Sequence, residues 1–359
     1  MNIQINNANS LPVPTWRWLK LNDTNIQYEN ISNLTDISPN ILNLTNNIIY
    51  TSKKALNIPQ INTGCGYNIN NFIKQNAVKT NIFTIKANIT TEKPLIYIYD
   101  FNQNLDFIDD NYIFAEENSK ATIIFVYASQ YNTQGFHASS TKVFAKKNAQ
   151  IEIIQVQALG QNYFNIDDFG ALADENAFIK LKQIALGATK NYLGANIDLL
   201  ANKSNCFIKT NYLSSQNQSI DMNYIVNIFG EKTTINLLAN GILMDNAKKI
   251  HRGTLDFKQG CKGSIGTETE EVLLLDEDIQ NKSIPLILCA EDDIEGNHSA
   301  SIGEMDSEQL FYLQTRGLTT KQIRQMQINS KLQLMCNEIP ENLHQYILNF
   351  AQEAFGHEQ

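Results

Sequence analysis

The chain has 359 residues, of which 43% are hydrophobic and 18% are charged, and its formal net charge is −9. This composition supports a sizeable core, so wholesale disorder is not expected, and the length suits two domains or one large all-β unit. The acidic balance argues against a strongly basic nucleic-acid binder. No segment reaches the run of apolar residues that a transmembrane helix needs, so no membrane association is expected.

Residues 1–80 form a mixed N-terminal region. Its start lacks the basic and apolar segments of a secretory signal, so a cytoplasmic location is expected. Residues 15–20 contain two tryptophans and predict a segment that packs on the core. Residues 24–63 read as irregular chain with short strands or turns. The five cysteines (Cys65, Cys206, Cys261, Cys289 and Cys336) have long spacings, which favours reduced thiols, and Cys65 is interpreted as structural.

From residue 81 to 304 the pattern is typical of short strands. The clearest alternation covers 220–228, where the apolar positions are Ile220, Met222, Tyr224, Val226 and Ile228. Similar pieces lie at 82–89, 121–127, 149–157, 178–184, 206–212, 233–238 and 254–257. So many strands need closure or stacking, and a β-helix solenoid stacks them turn upon turn, with asparagines able to hydrogen-bond between turns. No strict repeat is visible, so the pattern alone leaves other all-β folds open.

Residues 305–359 read as a helical subdomain. Ser307 is predicted to cap a helix over 308–316 that ends at Gly317, and Thr319 with Gln322 forms a capping-box pattern for a helix over 320–336. Pro340 suits the first turn of a third helix. That helix carries an apolar stripe of Leu343, Ile347, Phe350 and Ala354. The stripes are predicted either to cover an end of the solenoid or to dock a partner.

Common catalytic motifs are missing, including the P-loop, G-x-S-x-G and H-E-x-x-H patterns. The pairs at 167–168 and 292–293 are interpreted as solvated acids, and His251 as an inward, hydrogen-bonded histidine. The densest polar segment is 289–298, which offers a thiol, carboxylates and an imidazole. Such groups can hold iron or zinc, but a surface acidic turn is the simpler interpretation of this segment.

Several segments together resemble the SufB/SufD family of iron–sulfur cluster assembly scaffolds, and most closely its SufD branch. The strand that begins His251-Arg252-Gly253 is one, and the leucine-rich strand 272–276 is another. The others are 285–293, the turn 296–303, the helix 310–317 (L-F-Y-L-Q-T-R-G) and the N-terminal 15–20. Ser299 and Ser301 depart from the Gly and Thr that are usual in the family's turn.

The resemblance implies a right-handed parallel β-helix with helical terminal parts and a non-catalytic scaffold role. It implies pairing with a SufB-like paralogue through the β-helix ends, and docking of the ABC-type ATPase SufC on the C-terminal helical region. The docking segment would contain Leu310, Phe311, Tyr312, Arg316 and Gly317. No tightly bound cofactor is expected. Iron or an iron–sulfur cluster would sit transiently at the partner interface, and a flavin in the complex is left open.

By position, His298 matches the family histidine at the subunit interface, where an imidazole can ligate iron. Cys289 and Glu291 are further metal candidates, and Asn297 and Ser299 are interface candidates beside His298. Three alternatives remain at this point. The chain could be a SufB-like scaffold that pairs with itself and carries the cluster, a β-helix carbohydrate-active enzyme, or a structural β-solenoid.

Overall fold

The computed structural model describes residues 1–15, 18–29, 31–32, 34–52, 58, 61–101 and 103–355. Trp16 and Arg17, from the segment predicted to pack on the core, lie outside the described residues. Trp18 is 96% exposed, so that prediction is wrong for this side chain. None of the described helices is long and apolar enough to cross a membrane.

Two nine-stranded sheets form the core of the molecule. One contains β3 (Asn40–Leu42), β6 (Leu95–Phe101), β8 (Lys120–Ser129), β10 (Gln150–Ala158), β12 (Phe178–Ala185), β14 (Asn205–Ser214), β16 (Thr234–Leu243), β18 (Ser264–Leu274) and β20 (Ile294–Gly303). The other contains β4 (Ile48–Ser52), β5 (Lys79–Ile85), β7 (Phe107–Ala115), β9 (Gln134–Ala145), β11 (Asn162–Ala173), β13 (Lys190–Leu199), β15 (Ser219–Ile228), β17 (Lys248–Phe257) and β19 (Gln280–Cys289).

We call the sheet that contains β6 to β20 the even sheet and the sheet that contains β5 to β19 the odd sheet. From β5 onward the chain alternates between them, so each pair of consecutive strands forms one turn of a solenoid. Neighbours within a sheet run parallel, for example Gln150 beside Phe178. The exceptions are β3 and β4, which pair antiparallel with β6 and β5 at the N-terminal end. The parallel β-helix predicted from the sequence is confirmed.

The alternation at 220–228 shows why these segments become strands. Ile220, Met222, Tyr224, Val226 and Ile228 point into the solenoid and are at most 1% exposed. Successive side chains on a strand face opposite sides, so period-two sequences bury one set against the opposite sheet. Removing that apolar surface from water is the main stabilising contribution to the fold.

Asparagines line one corner of the solenoid. The side-chain amide of Asn118 donates to Asn88, that of Asn148 to Asn118, and that of Asn176 to Asn148, over 2.7–2.8 Å. These four residues have φ between 56° and 61°, a left-handed conformation that asparagine tolerates better than most residues. The steps are 30, 30 and 28 residues long, so no strict repeat can appear in the sequence.

Polar side chains also run through the interior. The amide of Asn81 donates to Asn111 over 2.7 Å, and Gln155 donates to Asp167 over 2.6 Å. Asp167 and Asp168 are at most 2% exposed, so their interpretation as solvated acids was wrong. Burial, with the nearby Asp109 and Asp168 charges, raises the pKa of Asp167 well above its ordinary value.

The N-terminal segment covers the outer face of the odd sheet. It contains the antiparallel pair β1 (Ile3–Ala8) and β2 (Thr24–Tyr28), and the helix α1 (Tyr67–Asn76), which the sequence interpretation missed. Cys65 is buried here, and its backbone N–H donates to Asp168 over 2.7 Å. Burial raises the pKa of the Cys65 thiol, which fits the structural role assigned to it.

The C-terminal helices are α2 (Ser307–Thr315), α3 (Thr320–Cys336) and α4 (His344–Phe355), with a 3₁₀ turn at Glu341–Leu343. The capping box of Thr319 and Gln322 is confirmed, but Asp306 rather than Ser307 caps α2. The apolar stripe of α4 packs on the outer face of the even sheet. The predicted cover over a solenoid end is therefore wrong, because these helices cover a flank.

Candidate functional site

The C-terminal end of the solenoid is open. Strands β19 and β20 are the last members of their sheets, and no described strand pairs with their outer edges. Strand β20 contains no buried residue, although the neighbouring strand β18 buries its inward side chains. Unpaired strand edges readily add another strand, so natural proteins cover them or use them for pairing. The open end is therefore a candidate pairing surface.

His298 lies in the middle of β20, directly opposite Glu268 on β18. Its parity matches Gly296, whose α-carbon faces Ile287 and Phe257, so His298 also points inward. The Nδ1 atom of His298 lies 3.8 Å from Oε2 of Glu268, and the imidazole keeps 30% of its surface exposed. One imidazole thus connects the open end with the interior of the last turn.

Behind His298 lies a buried group of ionisable side chains. Nδ1 of His251 is 3.8 Å from Oε1 of Glu268 and 3.9 Å from Oε2 of Glu270. Lys249 forms an ion pair with Glu270 and donates to Ser283 over 2.9 Å. His251, Glu268 and Glu270 are each 1% exposed. His251 is therefore inward, as predicted, and it faces two carboxylates.

The two buried glutamates have opposite pKa shifts. Burial, with the Glu270 charge, raises the pKa of Glu268 to about 8. Burial alone would raise the pKa of Glu270 as well, but His251 and Lys249 beside it lower that pKa to about 2. Burial lowers the pKa of His251 below its ordinary value, although Glu270 beside it opposes the shift. Glu270 is therefore the ionised carboxylate of this group and pairs with Lys249, whereas burial favours the protonated form of Glu268.

The three consecutive residues His251, Arg252 and Gly253 have different structural roles. His251 points inward to the glutamates, as described. Gly253 also points inward, and a β-carbon there would overlap the carboxylate of Glu268. The missing side chain makes room for Glu268 in the narrow interior.

Arg252 points outward and is fully buried beneath the N-terminal segment. Its guanidinium pairs with Asp221 over 2.5 Å and donates to the Leu21 carbonyl over 2.7 Å. Asp221 also accepts from Asn9 and Thr24, over 2.8 and 2.6 Å. Arg252 thus fastens the N-terminal segment to the odd sheet, a role that no local sequence signal indicated.

Cys289 and Glu291 do not join His298. Cys289 is exposed at the end of β19, and Glu291 accepts backbone hydrogen bonds from Gly260 and Asp292 in the following turn. His298 lies four residues into β20, so roughly 13 Å of strand separates it from this turn. Asn297 and Ser299 flank His298 but face outward and are exposed. Among the described residues, no three His, Cys, Asp or Glu side chains form a ready metal-binding group.

Helix α2 is the most exposed helical element that the structure describes at this end. It has no buried residue, and Phe311 and Tyr312 are 68% and 55% exposed. The guanidinium of Arg316 lies over the Tyr312 ring at 5.1 Å. A groove of about 700 Å³ between α2, α3 and β20 is lined partly by apolar residues, among them Leu313, Met326 and Leu334, and partly by polar ones. These features suit a protein-docking surface.

No prediction from the sequence identified the buried glutamates of β18. Glu268 and Glu270 share the parity of Val272 in β18, and that parity alone would have placed them inside. Charged residues are almost never fully buried without a partner, so their residue type argued against burial. Their partners, Lys249 and His251, lie about 20 residues earlier in the chain.

Comparison with known families identifies the family of this chain. Residues 100–331, which include most of the solenoid, the open end and α2, match the family model described as SUF system FeS cluster assembly, SufBD core domain. The chain belongs to the SufBD family. The match favours the scaffold interpretation over a carbohydrate-active enzyme.

Curated SufBD proteins are distant relatives of this chain. An iron–sulfur cluster assembly SufBD family protein of Staphylococcus saprophyticus is 22% identical over 258 residues, covering 71% of this chain and 56% of the relative. The iron–sulfur cluster assembly protein SufD of Bacillus subtilis is 24% identical over 261 residues, covering 71% of this chain and 59% of the relative. The chain thus spans less than two thirds of the length of these relatives.

Proposed function

We propose that this SufD-like chain is a non-catalytic scaffold subunit of an iron–sulfur cluster assembly complex. Its open end pairs with a SufB-like paralogue, and a nascent cluster is assembled where the two subunits meet. The observation that carries this proposal is the unpaired outer edge of strand β20 among the described strands, which presents His298 at the open end of the solenoid. Membership of the SufBD family supports it.

Iron is cargo in this proposal. A neutral imidazole is a good ligand for iron, and among the described residues His298 is the histidine that lies at the open end. Since no ready three-ligand group exists among the described residues, the partner has to supply the other ligands. Assembly is therefore confined to the paired state, and iron or a cluster is held only transiently. A reducing, cytoplasmic location belongs to the proposal and is supported by five free cysteines.

The ABC-type ATPase SufC docks on α2 in this proposal. Leu310, Phe311, Tyr312, Arg316 and Gly317 lie on or just after this helix. Aromatic side chains and arginine commonly dominate interface energetics, and here they are exposed rather than used in packing. Helix α2 follows β20 after three residues, so a movement of α2 would act directly on the pairing strand.

Self-pairing is the second candidate. An unpaired edge can meet a second copy of itself as readily as a paralogue, because a two-fold contact uses the same surface twice. In that case two copies of His298 would lie near the two-fold axis, and the chain would carry the cluster itself.

Anaerobic affinity purification of the tagged chain from its native lysate, with mass spectrometry, tests these proposals. A SufB-like paralogue and SufC in near-stoichiometric amounts are expected. SufC with a dimer of the tagged chain would favour self-pairing. The absence of both proteins would contradict the proposed partners.

A further inference from the structure

We propose that Glu268 is a positioning residue for His298. It holds the imidazole in the tautomer that carries the proton on Nδ1 and leaves Nε2 free to bind a metal ion. The use of Nε2 for iron rests on the function proposed above. The positioning itself is a property of this chain and can be tested without a partner.

The geometry gives Glu268 two imidazoles to contact. Its Oε2 faces Nδ1 of His298 at 3.8 Å, and its Oε1 faces Nδ1 of His251 at the same distance. Glu268 is 1% exposed, and its Oε2 atom has no other hydrogen-bond partner in the described part of the chain. A buried carboxylate oxygen without a partner is costly, and the nearest ionisable nitrogen on its open side belongs to His298.

The gap of 3.8 Å is about 1 Å longer than a hydrogen bond. The partly exposed His298 ring has room to rotate toward Oε2, because no described strand pairs with the outer edge of β20. Hydrogen bonds that orient a working side chain are often long in unliganded structures.

Glu268 itself is held by its surroundings. The space beside Gly253 receives its carboxylate, and any larger residue there would displace it. Glu270 is engaged by Lys249, so it does not compete for His298. Metal-binding histidines commonly donate their second ring N–H to a carboxylate, which fixes the tautomer and the ring orientation. Glu268 is placed to accept such a hydrogen bond from Nδ1–H of His298.

Selective ¹⁵N labelling of histidine provides the test. Ring-nitrogen shifts of the full chain would be recorded at about pH 8.5, where an ordinary histidine is neutral. Loss of one set of signals in His298→Ala assigns that residue. Glu268→Met removes the acceptor from the buried site, whereas Glu268→Gln keeps an acceptor oxygen. Glu271→Gln is the matched control, because Glu271 lies on the same strand but is exposed.

The Nδ1–H tautomer of His298 is expected to predominate in the wild type and in Glu268→Gln. In Glu268→Met the tautomer ratio should shift by about fivefold or more toward Nε2–H, the size expected for loss of one hydrogen bond to a buried acceptor. Glu271→Gln should leave the ratio unchanged.

Equal ratios in the wild type and Glu268→Met, or a wild type already in the Nε2–H form, would overturn the inference. Should Glu268→Met fail to fold, Gly253→Ala supplies the second variant. It displaces the Glu268 carboxylate and should produce the same shift, with Gly303→Ala, which has open space at its α-carbon, as control. Cluster assembly plays no part in this readout, so failure of the proposed function would be seen separately.

Discussion

Buried carboxylates are the most unusual single residues in this solenoid. Asp109 is fully buried and accepts hydrogen bonds from Asn111 and Tyr127 over 3.0 and 3.1 Å. Burial raises the pKa of Asp109 to about 6, although the hydrogen bonds from Ser139, Asn111 and Tyr127 oppose the rise. The folded protein thus binds a proton at Asp109 more tightly than the unfolded chain does.

The sign of the resulting pH dependence follows from this shift. The stability linked to Asp109 is fully present below the ordinary pKa of 3.8 and is lost as pH rises through the folded pKa of about 6. Asp109→Asn keeps the shape and one acceptor but cannot ionise. Its stability relative to wild type should therefore rise by about 2 kcal/mol between about pH 4 and pH 7. Urea unfolding followed by circular dichroism measures this difference.

Asp292→Asn is the control for that series, because Asp292 is exposed in a turn. Its stability relative to wild type should show no comparable rise. A pH-independent difference between Asp109→Asn and wild type would show that folding does not raise the pKa of Asp109.

Single residues also show where sequence reasoning succeeds. The inward position of His251 follows from its parity with Leu255 and Phe257, which is local information. The relation between Glu268 and His298 depends on strand register across 30 residues, and turns of varying length hide that register. Proximity in sequence is a poor guide here, because Cys289 ends β19 and Glu291 lies in the following turn, whereas His298 lies in the middle of β20.

At the scale of elements, the asparagine ladder links successive corners of the solenoid. Asn148 donates to Asn118 and accepts from Asn176, with a φ of 59°. Asn148 therefore adopts the left-handed backbone conformation that the corner needs and also provides the side-chain amide that the ladder needs. The ladder gives a structural reason for asparagine at these corners.

Replacing Asn148 separates the two requirements. Asn148→Ala loses the ladder hydrogen bonds and places a β-carbon in a left-handed conformation, so a loss of about 2 kcal/mol is expected. Asn148→Gly loses the hydrogen bonds but tolerates the conformation, so its loss should be nearer 1 kcal/mol. Thermal or urea unfolding compares the two. Equal losses would show that the backbone conformation is not what selects asparagine here.

Helix boundaries were predictable where the cap lies within a few residues. Thr319 and Gln322 satisfy each other's backbone groups, so the start of α3 was visible in the sequence. Helix α1 was missed because Gly66 provides no side-chain cap, and its asparagines resemble the surrounding loops. For α2 two adjacent residues could cap, and Asp306 does so in the structure instead of Ser307.

At the scale of the whole molecule, helices α3 and α4 cover the even sheet, whereas the open end of the solenoid is left for pairing. Helices α3 and α4 bury Ile328, Leu332, Ile347 and Phe350 against the even sheet, and ion pairs from Glu338 to Lys182 and Lys209 hold them there. Deleting the whole tail would expose that face of the sheet. Point substitutions on α2 therefore test the ATPase-docking proposal better than truncation.

Phe311→Ala combined with Tyr312→Ala should leave the fold intact, because both side chains are mostly exposed. Affinity for purified SufC, measured by calorimetry, should fall at least about tenfold, as expected for loss of interface anchors. Leu348→Ala removes a comparably exposed side chain from α4 and should bind normally. Unchanged affinity of the α2 variant would move the docking surface elsewhere.

The central claim is that His298 at the open end takes part in cluster assembly. The most direct test is the cluster absorbance of the anaerobically purified complex of this chain with its partners, for His298→Ala, Ser301→Ala and wild type. His298→Ala should retain the full set of subunits but lose about 90% of the absorbance, within the range seen when metal-site residues are removed. Ser301→Ala, an exposed change on the same strand, should behave as wild type. A wild-type yield from an intact His298→Ala complex would contradict the proposal.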